Sequence, residues 1–96
     1  MTMLLIVCDA SIEERVLEGL RSAGVSGYTR FPNLTGAGRV GRRDGDPVWP
    51  GTNSMIMVVT PAEVIDSVRD LLLTIKRDYT RPPALHVFSL SATELL

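Results

Sequence analysis

The sequence predicts an α+β fold, and three observations lead to it. Two unbroken apolar runs of strand length stand at residues 3–8 and 54–59, and a stretch with helical spacing of apolar residues follows each of them. Two further strand-like runs, at 28–34 and 84–90, complete the order strand, helix, strand, strand, helix, strand. This order matches the ferredoxin-like βαββαβ sandwich, in which a four-stranded antiparallel sheet carries two helices on one face. A long loop separates strands 2 and 3.

Boundary residues define the first helix and the second strand. Ser11 and Glu14 have the spacing of a capping box, and apolar residues then recur at helical intervals up to Gly24, so we expect a helix over residues 12–23. The following strand contains Pro32, which has no N–H to donate to a β-ladder. We therefore place that strand at a sheet edge or at a β-bulge.

The second helix has the clearer signals. Thr60 is expected to cap it, Pro61 to occupy its first position and Glu63 to complete a capping box. Pro82 ends the helical pattern before the last strand. The predicted buried face of this helix consists of apolar residues at helical spacing: Val64, Ile65, Val68, Leu71, Leu72 and Ile75.

Length and composition predict a small domain that associates with copies of itself. The chain has 96 residues, enough for one domain over residues 1–96, and 45% of them are hydrophobic. Two helices cover only one face of the sheet, so the other face would expose Leu, Ile, Val and Met side chains. We therefore expect a homo-oligomer that buries this second face.

Charge and cysteine content favour a cytoplasmic protein without nucleic-acid binding or membrane insertion. The net charge of −1 provides no overall basic surface, and the single cysteine, Cys8, excludes an intramolecular disulfide and suits a reducing compartment. The apolar run at residues 3–8 is too short for a signal peptide or a membrane span. RNA binding by this fold would need aromatic residues on the central strands, and residues 3–8 and 54–59 contain none.

Residues 35–53 form a connection without apolar periodicity, of a length that is uncommon unless the loop is functional or disordered. Five of the eight glycines lie in it, together with Arg39, Arg42 and Arg43. Glycine lets a backbone approach a ligand closely, and guanidinium groups hold phosphate or carboxylate. This composition fits an anion-responsive loop, and it equally fits a solvated hairpin tip whose charges keep a sheet edge soluble.

The chain resembles a known family over nearly its whole length in the order of its elements, and a few residues in and before this loop are distinctive of that family. Residues 25–29, followed by Gly36, Gly38 and Arg39 at the start of the loop, resemble the PII-type signal-transduction proteins, and the Trp-Pro-Gly-Thr-Asn sequence at 49–53 is similar to the loop ending of a divergent PII-like branch. The resemblance implies a homotrimer with inward-facing sheets and a small anionic ligand in clefts between subunits. It also implies a mobile loop that reports ligand occupancy to a protein target.

The candidate ligand site consists of five loop residues: Gly36, Gly38, Arg39, Arg42 and Arg43. The resemblance implies that the first three approach the phosphates of an adenine nucleotide, and the other two arginines add positive charge beside them.

Three departures separate the chain from the nitrogen-sensing members that it resembles. Val40 occupies the position of a glutamine that helps to hold magnesium and 2-oxoglutarate, so magnesium-dependent 2-oxoglutarate sensing is not expected. The loop has no tyrosine for covalent modification. Residues 77–83 replace the Gly/Lys-rich second nucleotide loop, although Arg77 and Arg81 retain positive charge there.

The leading prediction is a regulatory protein and not an enzyme, because no Ser/His/Asp or Cys/His set stands at a recognisable spacing. Two alternatives remain. One is a divalent-cation-binding or metal-tolerance trimer that uses Cys8, Asp9 or His86, although an aspartate before a helix is usually a cap. The other is a structural trimer whose loop docks a protein partner without any small ligand.

Three more loop residues have two interpretations each. Trp49 is expected to anchor the loop base to the body of the domain and not to stack on a ligand. Asp44 and Asp46 either pair with the neighbouring arginines or bind a cation, and the sequence does not decide between these roles.

Overall fold

The computed structural model describes residues 1–38, 41–45 and 51–96. A turn of 3-10 helix precedes each α-helix, at Ala10–Ile12 and Ala62–Val64. No helix within these ranges has the length and apolar character needed to cross a bilayer. The elements in chain order are β1 (Thr2–Asp9), α1 (Glu13–Ser22), β2 (Thr29–Leu34), β3 (Gly36–Gly38), β4 (Gly41–Arg43), β5 (Asn53–Thr60), α2 (Ile65–Arg77) and β6 (Leu85–Ser91).

Strands β2, β5, β1 and β6 form one antiparallel sheet in that spatial order, while β3 and β4 form a separate two-stranded hairpin. Leu5 in β1 illustrates the register, because it lies opposite Met57 on one side and Phe88 on the other. The two continuous apolar strands, β1 and β5, occupy the centre of the sheet. The strand order and the two helices of the described residues confirm the predicted ferredoxin-like βαββαβ fold.

The core lies between the sheet and the helices. Alternation along β1 directs Leu4, Ile6 and Cys8 towards the helices, where all three are buried. Each helix contributes one apolar stripe to the same core, as its spacing predicts. The buried residues of these stripes are Val16, Leu17, Leu20, Val68, Leu72 and Ile75.

The first helix start differs from the prediction. Ile12 occupies the N-cap of α1 and makes no side-chain hydrogen bond, so the predicted capping box of Ser11 and Glu14 is wrong. Instead, the Asp9 carboxylate accepts a hydrogen bond from the backbone N–H of Ser11 at 2.9 Å, and Asp9 caps the 3-10 turn. The interposed turn places the start of the α-helix beyond the polar residue that was expected to cap it.

The start of the second helix also differs from its prediction. Thr60 is the buried last residue of β5, and Pro61 precedes the 3-10 turn without a side-chain cap. The predicted cap at Thr60 is therefore wrong, because the strand continues one residue further than its apolar run.

Strand β2 is bulged, as its proline predicts. Its register with β5 is regular up to Phe31 and then shifts, so that Leu34 lies opposite Asn53. Pro32 and Asn33 lie at this shift, and Asn33 has a φ of 59°, a left-handed conformation that asparagine adopts more readily than most residues. The bulge sits immediately before the chain enters the β3–β4 hairpin.

The face of the sheet that points away from the helices is apolar, and we call it the open sheet face. No described helix covers it. Phe88 is 59% exposed and Leu90 is 46% exposed on this face. Register places on it Met3, Leu5, Val7, Phe31, Met55, Met57, Val59, Phe88 and Leu90. A surface of this kind marks an interaction site.

Candidate functional site

The candidate glycines lie in the hairpin that β3 and β4 form beside the main sheet. Gly36 lies opposite Arg43, and Gly38 lies opposite Gly41. A β-carbon added at Gly36 or Gly38 would meet no described atom within 4 Å. Packing therefore does not require glycine at these two positions. Their effect is to leave the backbone N–H and C=O groups of the hairpin uncovered, so that a ligand can approach them closely.

Arg42 lies beside a carboxylate in the same hairpin. Its Nη2 atom is 2.7 Å from Oδ2 of Asp44, and its side chain is 61% exposed. The contact is an ion pair by distance, although it is not aligned as a hydrogen bond. Because most of the Arg42 side chain is exposed, an anionic ligand can approach the guanidinium group from the solvent.

The two ends of the loop meet at Gly45 and Gly51. The backbone N–H of Gly45 donates to the Gly51 carbonyl at 3.3 Å, and the carbonyl of Thr52 accepts from Ala10 N–H at 3.0 Å. Gly45 has a φ of 71°, and a β-carbon there would lie 3.0 Å from Thr52 Cγ2, so both its conformation and its surroundings favour glycine. The returning chain is thus fixed beside the turn that precedes α1.

Three loop residues with predicted roles lie outside the described residues, Arg39, Asp46 and Trp49, and so does Val40, for which no ligand role is expected. Their roles stay predictions. The structure brings together the other four members of the candidate site, because the backbones of Gly36, Gly38, Arg42 and Arg43 all belong to one hairpin.

A buried carboxylate beside the loop base was not predicted. Glu13 is 6% exposed, and its Oε2 atom accepts a hydrogen bond from Ser54 Oγ at 2.6 Å. Its Oε1 atom accepts from Nε of Arg30, which forms an ion pair with it. The sequence contains a signal for this burial, because Glu13 stands three and four residues before Val16 and Leu17 and so lies on the apolar stripe of α1.

A second contact holds the connection between α2 and β6 against α1. Arg15 forms an ion pair with Asp78, and its guanidinium lies 5.5 Å from the ring centroid of Tyr79. Two hydrogen bonds raise the pKa of Arg15, of which the one with Tyr79 has the larger effect and the one with Asp78 the smaller. Asp78 and Tyr79 lie between Arg77 and Arg81 in sequence, so this contact links α1 to the segment that carries both arginines.

The structure separates two of the three residues proposed as metal ligands. Cys8 is buried on the helix side of β1 opposite Leu85, whereas His86 is exposed and lies opposite Val7, on the other face of the sheet. Since side chains alternate between faces, Cys8 and His86 of one chain cannot share a metal ion. The described residues contain no cluster of three or more His, Cys, Asp or Glu side chains.

Two clefts lie near opposite edges of the sheet. A groove of about 280 Å³ separates α2 from β6 and is lined by apolar side chains together with Arg69 and Lys76. A second cleft of about 270 Å³ lies at the start of β2, where Tyr28 and Thr29 line it with Met57 and Val59. Neither contains the hairpin residues, so within one chain the hairpin lies outside both clefts.

Comparison with protein families identifies this architecture. The model of the family described as nitrogen regulatory protein P-II matches residues 1–94. The chain belongs to the P-II family. P-II proteins are regulatory signalling proteins and are typically trimers that bind small ligands. A search of curated protein sequences returned no match.

Solved structures of PII-like proteins have the same fold. CPII from Thiomonas intermedia K12, bound to ADP and bicarbonate, is 24% identical, with a TM-score of 0.73 over 93% of this chain and 84% of that one. The same protein bound to ADP, AMP and acetate is 20% identical, with a TM-score of 0.71, and the match covers 97% of this chain and 88% of that one. A PII-like signalling protein from Thermus thermophilus is 21% identical, with a TM-score of 0.63, and the match covers 93% of this chain and 83% of that one.

Proposed function

We propose that residues 1–96 form one P-II-type domain that assembles as a cytoplasmic homotrimer and binds a small anionic effector between its subunits. The first candidate for this effector is an adenine nucleotide. The observation that carries the proposal is the exposed hairpin beyond the edge strand, in which two glycines without a packing role lie beside arginines. The ADP and AMP of the CPII structures agree with this choice of ligand.

Phosphate groups suit the hairpin chemically. A phosphate group can approach the hairpin backbone closely at Gly36 and Gly38, and Arg39, Arg42 and Arg43 supply guanidinium forks that bind such groups in pairs of hydrogen bonds. The 61% exposure of the Arg42 side chain supports this role, because a phosphate oxygen can reach the guanidinium group from the solvent without displacing Asp44.

The open sheet face provides the surface for assembly. Exposure of so many apolar side chains to water is unfavourable, and a closed ring of copies would bury them. Strands β2 and β6 are the two edges of the described sheet, so a ring would bring the hairpin side of one copy towards the β6 side of the next. That side carries Lys76, Arg77 and Arg81, which would add positive charge to the cleft.

Signalling would follow from the position of the ligand. An effector shifts a loop between arrangements only if it contacts those arrangements differently. A nucleotide on the hairpin would do so directly, because the hairpin is part of the loop, and the loop would then present one arrangement to a protein target.

Calorimetric titration of the purified protein with ADP, ATP and AMP, with the mass measured by light scattering, tests the proposal. The wild type should be a trimer that binds at one site per subunit. Substitutions Arg39→Ala and Arg42→Ala should each weaken binding about tenfold through loss of a charged hydrogen bond. The matched control is Arg21→Ala, which changes an exposed arginine in the last turn of α1.

Two outcomes would contradict the proposal. Unchanged affinity in both hairpin variants would remove the hairpin from the site. An intact trimer that binds none of the three nucleotides would exclude nucleotide sensing and favour a loop that docks a protein partner without a small ligand.

A further inference from the structure

We infer that Glu13 is a positioning residue for the ligand-binding loop, an inference that rests on the function proposed above. Glu13 is the first residue of α1, and its side chain is only 8% exposed. A carboxylate in such a place is costly unless hydrogen bonds compensate for the lost water. Ser54 Oγ and Arg30 Nε supply these bonds, one to each oxygen.

The Arg30–Glu13–Ser54 bridge connects β2 to β5 where their backbone ladder is broken. Arg30 belongs to the regular part of the ladder and lies opposite Ile56. Continuing that register by two residues would place Pro32 opposite Ser54, but the register shifts at this point. Proline has no N–H for a ladder bond, and the bulge leaves residues unpaired. The side chain of Glu13 therefore makes the link that the backbones do not make here.

The bridge also stands at the base of the loop. Leu34, the last residue of β2, lies opposite Asn53, the first residue of β5, and Ser54 follows directly. Between the bridge and the hairpin lies Asn33 in its left-handed conformation, and β3 begins two residues after β2 ends. The direction in which the hairpin leaves the sheet thus depends on the geometry of the bulge, which Glu13 holds.

Loss of the ionic link should loosen the bulge without removing the helix or the sheet. In Glu13→Gln the side chain keeps its size and can still pair with Ser54, but it loses the charge that pairs with Arg30. In Arg30→Met the chain keeps an apolar stem and loses the guanidinium group. The control is Glu14→Gln, which removes a neighbouring exposed carboxylate from the same turn of helix.

Two measurements on the protein test the inference. The first is the rate of amide hydrogen exchange of residues 33–38 and 41–45, relative to the central strands. The second is a calorimetric titration with ADP. Glu13→Gln and Arg30→Met should accelerate exchange in the hairpin about tenfold and weaken ADP binding about fivefold to tenfold, while exchange in β1 stays unchanged. Glu14→Gln should behave as the wild type.

The double variant distinguishes positioning from general destabilisation. If Arg30 acts through Glu13, combining both substitutions should change hairpin exchange no more than either does alone. Hairpin exchange at the wild-type rate in both single variants would overturn the inference, as would equal acceleration of exchange throughout the sheet. If the wild type does not bind ADP, the proposed function fails, whereas hairpin exchange still decides whether Glu13 positions the loop.

Discussion

Gly19 of α1 lies against Leu71 of α2 so closely that a β-carbon there would overlap Leu71 Cδ1 and stand 3.1 Å from both Cγ and Cδ2. Rotation of the leucine methyl groups alone does not make room, because Cγ is itself too near. The absence of a side chain at Gly19 therefore sets how closely the two helices pack over the sheet.

Substitution Gly19→Ala should destabilise the protein despite the better helix propensity of alanine. The propensity gain is about 1 kcal/mol, and overpacking costs about 1–3 kcal/mol, so we expect a net loss of about 1 kcal/mol. Urea unfolding measures it. The double variant Gly19→Ala with Leu71→Ala removes the overlap, so the cost of the alanine should disappear when it is measured against Leu71→Ala alone. An equal cost in both backgrounds would contradict this explanation.

The buried thiol of Cys8 should make stability depend on pH in the alkaline range. Burial, and secondly the negative charge of Asp9, raises the pKa of Cys8 from 9.0 to about 11. The folded state disfavours the thiolate, whereas the unfolded state forms it readily above pH 9. The protein is therefore at its full stability with respect to Cys8 below pH 9, and its free energy of unfolding falls as the pH rises through 9 towards 11. The total loss is on the order of 2–3 kcal/mol.

Unfolding of the wild type and of Cys8→Ala in urea between about pH 8 and pH 11 isolates this effect. The lost side chain gives the variant a constant offset, whereas the thiolate affects only the wild type. The advantage of the wild type should therefore shrink by about 2 kcal/mol across the range. A difference that stays constant with pH would contradict the prediction.

Phe88 should be required for assembly through the open sheet face. It is 59% exposed, so Phe88→Glu changes the folded single chain little, whereas the same carboxylate buried between subunits would lack a partner. We expect Phe88→Glu to have the mass of one subunit by light scattering and the wild-type circular dichroism spectrum. Ser67→Glu adds the same charge at an exposed position of α2 and should leave the assembly intact. A trimer that persists in Phe88→Glu would exclude this face as the interface.

The fold was predictable because its signals are local. The apolar runs at residues 3–8 and 54–59 lie within the two central strands, and helical spacing located both helices to within a few residues. Helix starts were less predictable, since the 3-10 turns after Asp9 and Pro61 shift the α-helices away from the polar residues that precede them. Such turns depend on how the chain leaves a strand, which residue type alone does not specify.

The candidate site was predictable only in part. Glycine and arginine content located the loop, although its role as a ligand site stays a prediction. The separation of Cys8 and His86 could be recognised only from the strand register, because a shift of one residue reverses the face of every side chain. Glu13 was missed since a charged residue at a helix start normally faces water. Its burial depends on Arg30 and Ser54, which are distant in sequence and are brought together only by the fold.

A substitution at Gly38 should weaken ligand binding without destabilising the fold. A β-carbon at this position would meet no described atom within 4 Å, and Gly38 is exposed, so Gly38→Val should change the free energy of unfolding by less than about 0.5 kcal/mol. If the nucleotide phosphates lie against the hairpin backbone, the added methyl groups should hold them away and weaken ADP binding about tenfold, which calorimetry measures. Ala37→Val is the matched control, because side chains on successive strand residues point to opposite faces and its extra methyl groups would lie away from Gly38. Equal loss of affinity in both variants would show that bulk anywhere in the hairpin disturbs the site. Unchanged affinity in Gly38→Val would mean that the ligand does not approach the hairpin backbone at this position.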